Sequence, residues 1–244
     1  SKYVFITKML NFSLSEIGII LLGIIKTASD ITFYTIPQRL LSRGFELLNR
    51  IFEILFPLSS KLDAQDKRSD LIKIYMKIFK YQLLVIFLIV IIIVFQGKWI
   101  LETWINYDFA EKCYSVLVIS CFSSIISMLT NLPSYYSMGL GFPEYTTRFT
   151  LYRFILILIS IFPLTYYYGY IGVALSMLIG EIQGLFFIFY VPNKLFNKKI
   201  FLYFKNDIIK YIIISIIFSL LYFNFWTQLN NLKLIIYQIF ITII

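Results

Sequence analysis

Five charged residues recur at helical spacing inside an otherwise apolar stretch. Between Ile31 and Leu58 the sequence places Arg39, Arg43, Glu46, Arg50 and Glu53 at intervals of 4, 3, 4 and 3 residues. At about 100° per residue on a helix, all five fall within an arc of about 80°. The other faces carry Phe33, Ile36, Leu40, Leu41, Phe45, Leu47, Leu48, Ile51, Phe52, Ile54, Leu55 and Phe56. The chemistry on offer is anion recognition, because the planar arginine fork donates two parallel hydrogen bonds to a phosphate or carboxylate. The signs alternate, so Arg43–Glu46, Glu46–Arg50 and Arg50–Glu53 are all within pairing reach. Arg39 has no acid three or four residues away on its own helix, and the stripe keeps one net positive charge for a ligand.

Insertion energetics restrict where such a helix can sit. Charges at the centre of a lone membrane helix cost about 2.5–3.5 kcal/mol each, on the order of 12–17 kcal/mol for five. About fourteen apolar residues return only about 4–8 kcal/mol. The stripe therefore faces water. Two placements satisfy this: an amphipathic helix lying in the membrane interface, or one wall of a polar transport cavity.

Other reactive groups are few. Glu16 and Glu181 stand alone inside apolar spans. An acid in such a place is a candidate ion or proton site, and its alternative is a structural hydrogen bond to backbone or to a Lys or Arg across the bundle. Gly172, Ser176, Gly180 and Gly184 form a small-residue row that lets another helix approach. The aromatic groups Tyr135–Tyr136 and Tyr166–Tyr168 read as interface anchors in preference to sugar-stacking platforms. Cys113 and Cys121 match no metal spacing or disulfide framework. Histidine is absent, which removes imidazole catalysis and imidazole metal ligands. Phosphate loops, paired catalytic carboxylates and nucleophile motifs are absent too. No catalytic residue, metal ligand or cofactor is expected.

The elements that must carry these residues are membrane helices. Of 244 residues, 59% are hydrophobic and 14% charged, which is outside the soluble globular range. The apolar runs are solid, as in Leu83–Phe95, and lack the alternation of a membrane barrel. The expectation is an all-α polytopic membrane protein with about seven full transmembrane helices and a truncated eighth. The spans fall near Tyr3–Ile25, the striped stretch, Ile78–Phe95, Tyr114–Met138, Tyr145–Tyr166, Ile171–Val191 and Ile208–Phe225. Loops are expected at Ser59–Asp70 and Gly97–Lys112, with Pro133 as a kink and Trp99 and Trp104 at the interface. The last apolar run, Leu232–Ile244, has 13 residues against the ~20 a helix needs to span. With Ser1 at the start, this points to part of a longer chain.

The net charge of +9 is not a nucleic-acid signature, because the basic residues gather in loops between spans. With the first end cytoplasmic, 15 of 22 Lys and Arg fall inside and 4 outside, with the other 3 in the stripe. That is the positive-inside pattern.

Four strings, in order, carry a family resemblance: Phe33–Leu40 (FYTIPQRL), Leu55–Leu62 (LFPLSSKL), Tyr135–Phe149 (YYSMGLGFPEYTTRF) and Tyr167–Ile182 (YYGYIGVALSMLIGEI). Together they resemble polysaccharide flippases, the O-antigen and lipid-linked oligosaccharide carriers of the multidrug/oligosaccharidyl-lipid/polysaccharide exporter superfamily. The part resembled is the C-terminal half of such proteins. The resemblance implies two six-helix lobes that open alternately around a central cavity, with residues 1–191 as the second lobe and 192–244 as two additional C-terminal helices. It implies a bacterial inner-membrane protein that flips polyprenyl-pyrophosphate-linked oligosaccharide to the outer leaflet for surface polysaccharide synthesis. Arg39, Arg43 and Arg50, with Glu46 and Glu53, would line the cavity. Glu16 lies near the place of an acid found in many relatives, so Glu16 and Glu181 are the ion-coupling candidates. The implied partners are membrane lipid, the missing N-terminal lobe of the same chain, and the polysaccharide polymerase and glycosyltransferases of the pathway.

Two other readings compete. A drug or cation antiporter of the same superfamily would favour an acidic cavity over this basic stripe. A membrane polymerase or acyltransferase would carry a sizeable outer loop or an acid and histidine pair, whereas the longest loops expected here are about 16 residues. The water-facing stripe is directly checkable. Single cysteines at positions 39, 43, 46 and 50 should react with an impermeant thiol reagent while those at 41, 48 and 52 stay protected; uniform labelling of both sets would contradict it.

Overall fold

The computed structural model describes residues 2–196 together with Lys210, Ile213 and Ile217. The seventh span, the truncated eighth and nearly all of the 192–244 segment lie outside the described residues, as do the side chains of Leu47, Leu48, Ile51 and Phe52. Six helices follow one another: α1 (Lys2–Ile25), α2 (Ala28–Ala64), α3 (Arg68–Trp104), α4 (Tyr107–Gly139), α5 (Pro143–Ile182) and α6 (Gly184–Phe196). No strand occurs among the described residues. Solid apolar runs leave a chain this choice, since a helix satisfies its own backbone without water.

The helices are longer than the apolar runs suggest. The two loops expected at 59–70 and 97–112 shrink to residues 65–67 and 105–106, because the helices continue through polar sequence at both ends. Local chemistry sets the stops. Thr27 caps α2 in a reciprocal box with Asp30, whose Oδ2 accepts from the Thr27 backbone N–H at 3.0 Å. Asn106 caps α4 by accepting from the Phe109 N–H at 2.8 Å. Pro143 opens α5 with Glu144 in its first turn, where a fixed φ and a negative charge both suit a helix start. Pro57 and Pro133, in contrast, end nothing, since α2 and α4 run on for several residues beyond them.

Four segments are long and apolar enough to cross a membrane: Lys2–Ile25, Ser69–Trp104, Tyr107–Gly139 and Pro143–Phe196. The last folds back on itself. Gly169 adopts φ 57°, ψ −133°, a conformation that side-chain-bearing residues rarely take, and the chain reverses there. The two limbs of α5 then lie side by side, with Gly172 against the Leu164 carbonyl and Gly180 against Ile157. The small-residue row is therefore packing, as its spacing indicates, and Gly184 extends it onto Thr130 and Ile126 of α4.

α4 is the centre of the bundle, touching α2, α3, α5 and α6. α2 lies alongside it in the same direction over its whole length. Phe33 meets Phe109, Gln38 meets Ser120, Asn49 meets Asn131, and Phe56 and Ser59 meet Gly139. The striped helix therefore runs through the bundle and does not lie across its end. Leu41, Phe45 and Leu55 of α2 pack with Tyr75, Phe79 and Ile86 of α3 and Cys113, Leu117 and Leu132 of α4. A second cluster joins Leu14 and Leu22 of α1 to Tyr34, Ile157, Ile161 and Val173. Both cysteines are free and buried.

The aromatic groups divide. Tyr166, Tyr167 and Tyr168 are exposed at the α5 reversal, and Trp99 and Trp104 are exposed near the end of α3, as interface anchors should be. Tyr136 is instead fully buried, edge-on to Tyr75 at 4.9 Å. It serves the core.

Two glycines separate packing from propensity. A methyl at Gly172 would collide with the Leu164 backbone, whereas one at Gly44 meets nothing within 4 Å. Gly172→Ala should lower the thermal unfolding temperature of the solubilised protein, consistent with a penalty of about 1–3 kcal/mol for overpacking. Gly44→Ala should raise it, since alanine outranks glycine in a helix by about 1 kcal/mol.

Candidate polar cavity within the bundle

The stripe emerges as a continuous charged face of α2. Arg39, Arg43, Arg50 and Glu53 are exposed, and Glu46 is half-exposed between its neighbours. Glu46 accepts from Arg43 at 3.1 Å and from Arg50 at 2.9 Å, so one acid holds two arginines. The Arg43 and Arg50 side chains remain 82% and 72% exposed, and pairs this open contribute little by themselves. Arg39 makes no ion pair among the described residues.

Beside the stripe runs a neutral polar seam that the charge pattern conceals. Gln38, Ser42 and Asn49 stand next to Arg39, Arg43 and Arg50 on α2. Across from them, α4 places Ser120, Ser124, Ser127, Asn131 and Ser134 at intervals of 4, 3, 4 and 3, the stripe's own spacing. Gln38 donates to Ser120 Oγ at 2.8 Å and Asn131 to Asn49 Oδ1 at 3.3 Å. Within a membrane bundle such bonds join helices because lipid offers the same groups no partner.

Between α1, α2, α4 and the α5 hairpin the seam widens into a cavity of about 410 Å³. Its wall includes Asn11 and Ser15 from α1, Thr35, Gln38, Arg39 and Ser42 from α2, and Ser123, Ser124 and Ser127 from α4. The α5 limbs add Arg153 and Glu181. The volume falls within the range of about 300–1,000 Å³ usual for small-molecule sites, and the lining combines these hydroxyls and amides with apolar Leu14, Ile19 and Met177. Arg39 sits where the stripe meets this cavity. From there the charged face continues along α2 toward Lys61 and the junction of α4 with α5.

Arg153 and Glu181 form the buried ion pair of the site. Arg153 Nη1 lies 3.0 Å from Glu181 Oε1, with the side chains 21% and 5% exposed. Glu181 Oε2 and Arg153 Nε are buried without a hydrogen-bond partner. One carboxylate oxygen and one guanidinium N–H thus remain unused in the wall of a cavity.

Among the sequence candidates, Arg39 and Glu181 come together in one cavity. Arg43, Glu46, Arg50 and Glu53 form the face leading from it. Glu16 does not line the cavity, and the Ser15 hydroxyl donates to its Oε1 at 3.4 Å. Of the three pairs within reach along the stripe, Arg43–Glu46 and Glu46–Arg50 form, with Glu46 as the shared member. Arg153 and the α4 serines were not singled out from the sequence. Both had a signal: the serines repeat with the stripe's period, and Arg153 and Glu181 lie 16 and 12 residues either side of Gly169. A hairpin reversing at Gly169 brings such positions together.

Comparison with known protein families, curated proteins and solved structures finds no match to the chain.

The pair's burial sets its mutational behaviour. Arg153→Met should reduce membrane abundance severalfold, because it strands a buried carboxylate at a cost of about 3–5 kcal/mol. Adding Glu181→Gln to that variant should restore abundance. Arg43→Ala should leave it near normal, since Arg50 still holds Glu46. Abundance is read from quantitative blots of isolated membranes.

Proposed function

We propose that the protein is the second lobe of a multi-pass bacterial inner-membrane transporter that flips polyprenyl-pyrophosphate-linked oligosaccharide from the cytoplasmic to the outer leaflet. The observation that carries this reading is the cavity at Arg39: a chamber lined by hydroxyls and amides, with an arginine that makes no ion pair among the described residues, set in a bundle of apolar helices and continuous with a charged face. A sugar chain needs many hydrogen-bonding groups and its pyrophosphate needs a cation, and both are supplied there. The charged face of α2 would be covered by a first lobe of the same chain, so that the two lobes enclose the path and open to each side in turn.

The rival readings draw less support. A cation antiporter would gather acids toward the cavity, whereas the single acid in its wall among the described residues, Glu181, is already engaged by Arg153. An enzyme of envelope sugars would present a reactive group, and this wall offers hydroxyls, amides and a neutralised pair. Among the described residues no group of His, Cys, Asp and Glu is arranged to hold a metal. A polysaccharide polymerase and glycosyltransferases would act before and after the transport step as partners.

The arginine chemistry tests the reading. In a setting less screened than bulk water, Arg39 should supply most of the attraction for a pyrophosphate. Arg39→Ala should abolish surface polysaccharide in a complementation assay while membrane levels stay normal. Arg39→Lys should recover only part, because a point charge replaces the bidentate fork. Normal export by Arg39→Ala would remove the cavity from the transport path.

A further inference from the structure

We infer that the cavity is a proton-linked anion site, in which an anionic group on a hydroxyl-rich ligand is held by Arg39 and Arg153 while Glu181 takes up a proton. The inference rests on the reading of the cavity as a cargo site and adds what that site recognises and how recognition is coupled.

The ion pair is the device. In the empty cavity the Arg153 guanidinium neutralises Glu181, and Arg39, in the same wall, makes no ion pair among the described residues. An anion entering between them gains two arginines only if Arg153 shifts its hydrogen bonds from Glu181 to the ligand. Glu181 is then left 4% exposed with no cation against it, the condition under which a carboxylate favours its neutral form. A proton from water binds its vacant Oε2, and the O–H so formed donates a hydrogen bond to the ligand or to Ser127, which shares the wall. The charge balance closes: one anion and one proton enter together.

Among the described residues no other acid lines the cavity. α2 presents Arg39 and Tyr34 to the cavity and the first limb of α5 presents Arg153, while α1 and α4 present only neutral side chains. Glu16 lies outside the wall. By linkage, a proton that is taken up on anion binding must in turn tighten anion binding as pH falls. The ligand class is a sugar bearing a carboxylate, phosphate or sulfate, since the serine and amide lining matches ring hydroxyls and the arginines match the charge.

The test uses the full-length protein in lipid nanodiscs, with D-glucuronate, D-glucose and inorganic sulfate as probes, none of which titrates between pH 5 and 8. Glucuronate should bind at least tenfold more tightly than glucose, with sulfate competing, and at least tenfold more tightly at pH 5 than at pH 8. Glu181→Gln should be flat across that range and match the wild-type affinity at pH 5. Arg39→Ala should weaken binding at both pH values while keeping their ratio. In weakly buffered solution at pH 7, a pH dye should report uptake approaching one proton per glucuronate bound by the wild type, a reading independent of any variant's folding. Equal affinity for glucose and glucuronate, pH dependence that survives in Glu181→Gln, or anion binding without proton uptake would each overturn the inference. Proton-linked glucuronate binding in a protein that exports no polysaccharide would instead overturn the transport assignment and leave this site standing.

Discussion

A charge cannot remain unpaired and dry inside an apolar bundle, and most of this architecture follows from that restriction. α2 carries more charge than a membrane-crossing helix can hide, yet it runs the full length of α4 through the bundle. The conflict is resolved by confining the charges to one face and leaving that face open. Deeper in, Arg153 and Glu181 meet the same restriction by pairing with each other across the α5 hairpin. One solution depends on water and the other on a partner.

Polar atoms without formal charge obey a weaker form of the rule. The serine and asparagine row of α4 would be poorly placed against lipid, and α2 answers it with Gln38, Ser42 and Asn49 at matching heights. Where the two helices and the hairpin separate, Gln38 and Ser42 of this seam, with Ser124 and Ser127 across from them, become part of the wall of a cavity. The seam and the cavity are thus one feature at two spacings. Glycine controls those spacings: Gly172 and Gly180 draw the α5 limbs together, which sets the distance across which Arg153 reaches Glu181.

Helix identity, the charged face and the small-residue packing row were all legible before any coordinates, because each is a one-dimensional repeat. Helix ends were less so. Hydropathy marks where apolar residues stop, but the ends are set by hydrogen bonds, and Thr27 with Asp30 and Asn106 place them beyond the apolar runs. Pro57 and Pro133 stop neither helix for a related reason. Proline removes one donor, and a helix supported on its other faces continues past the gap. Tyr136 was misread as an interface residue because aromatic content alone does not say which way a ring points.

The amino-acid sequence by itself determined that this is a chain of apolar helices carrying one charged stripe, since composition and period are local properties summed along a backbone. It could not decide whether α2 lies across the bundle or along it. That required the contacts from Phe33–Phe109 to Ser59–Gly139, residues some eighty positions apart. Nor could it say which of Glu16 and Glu181, two lone acids in similar apolar surroundings, meets a cation across the bundle. The reversal at Gly169 decides, bringing Arg153 to Glu181 and setting the pair in the same wall as Arg39, while Glu16 stays outside. Pairing and enclosure are relations between helices, and only tertiary structure brings helices together.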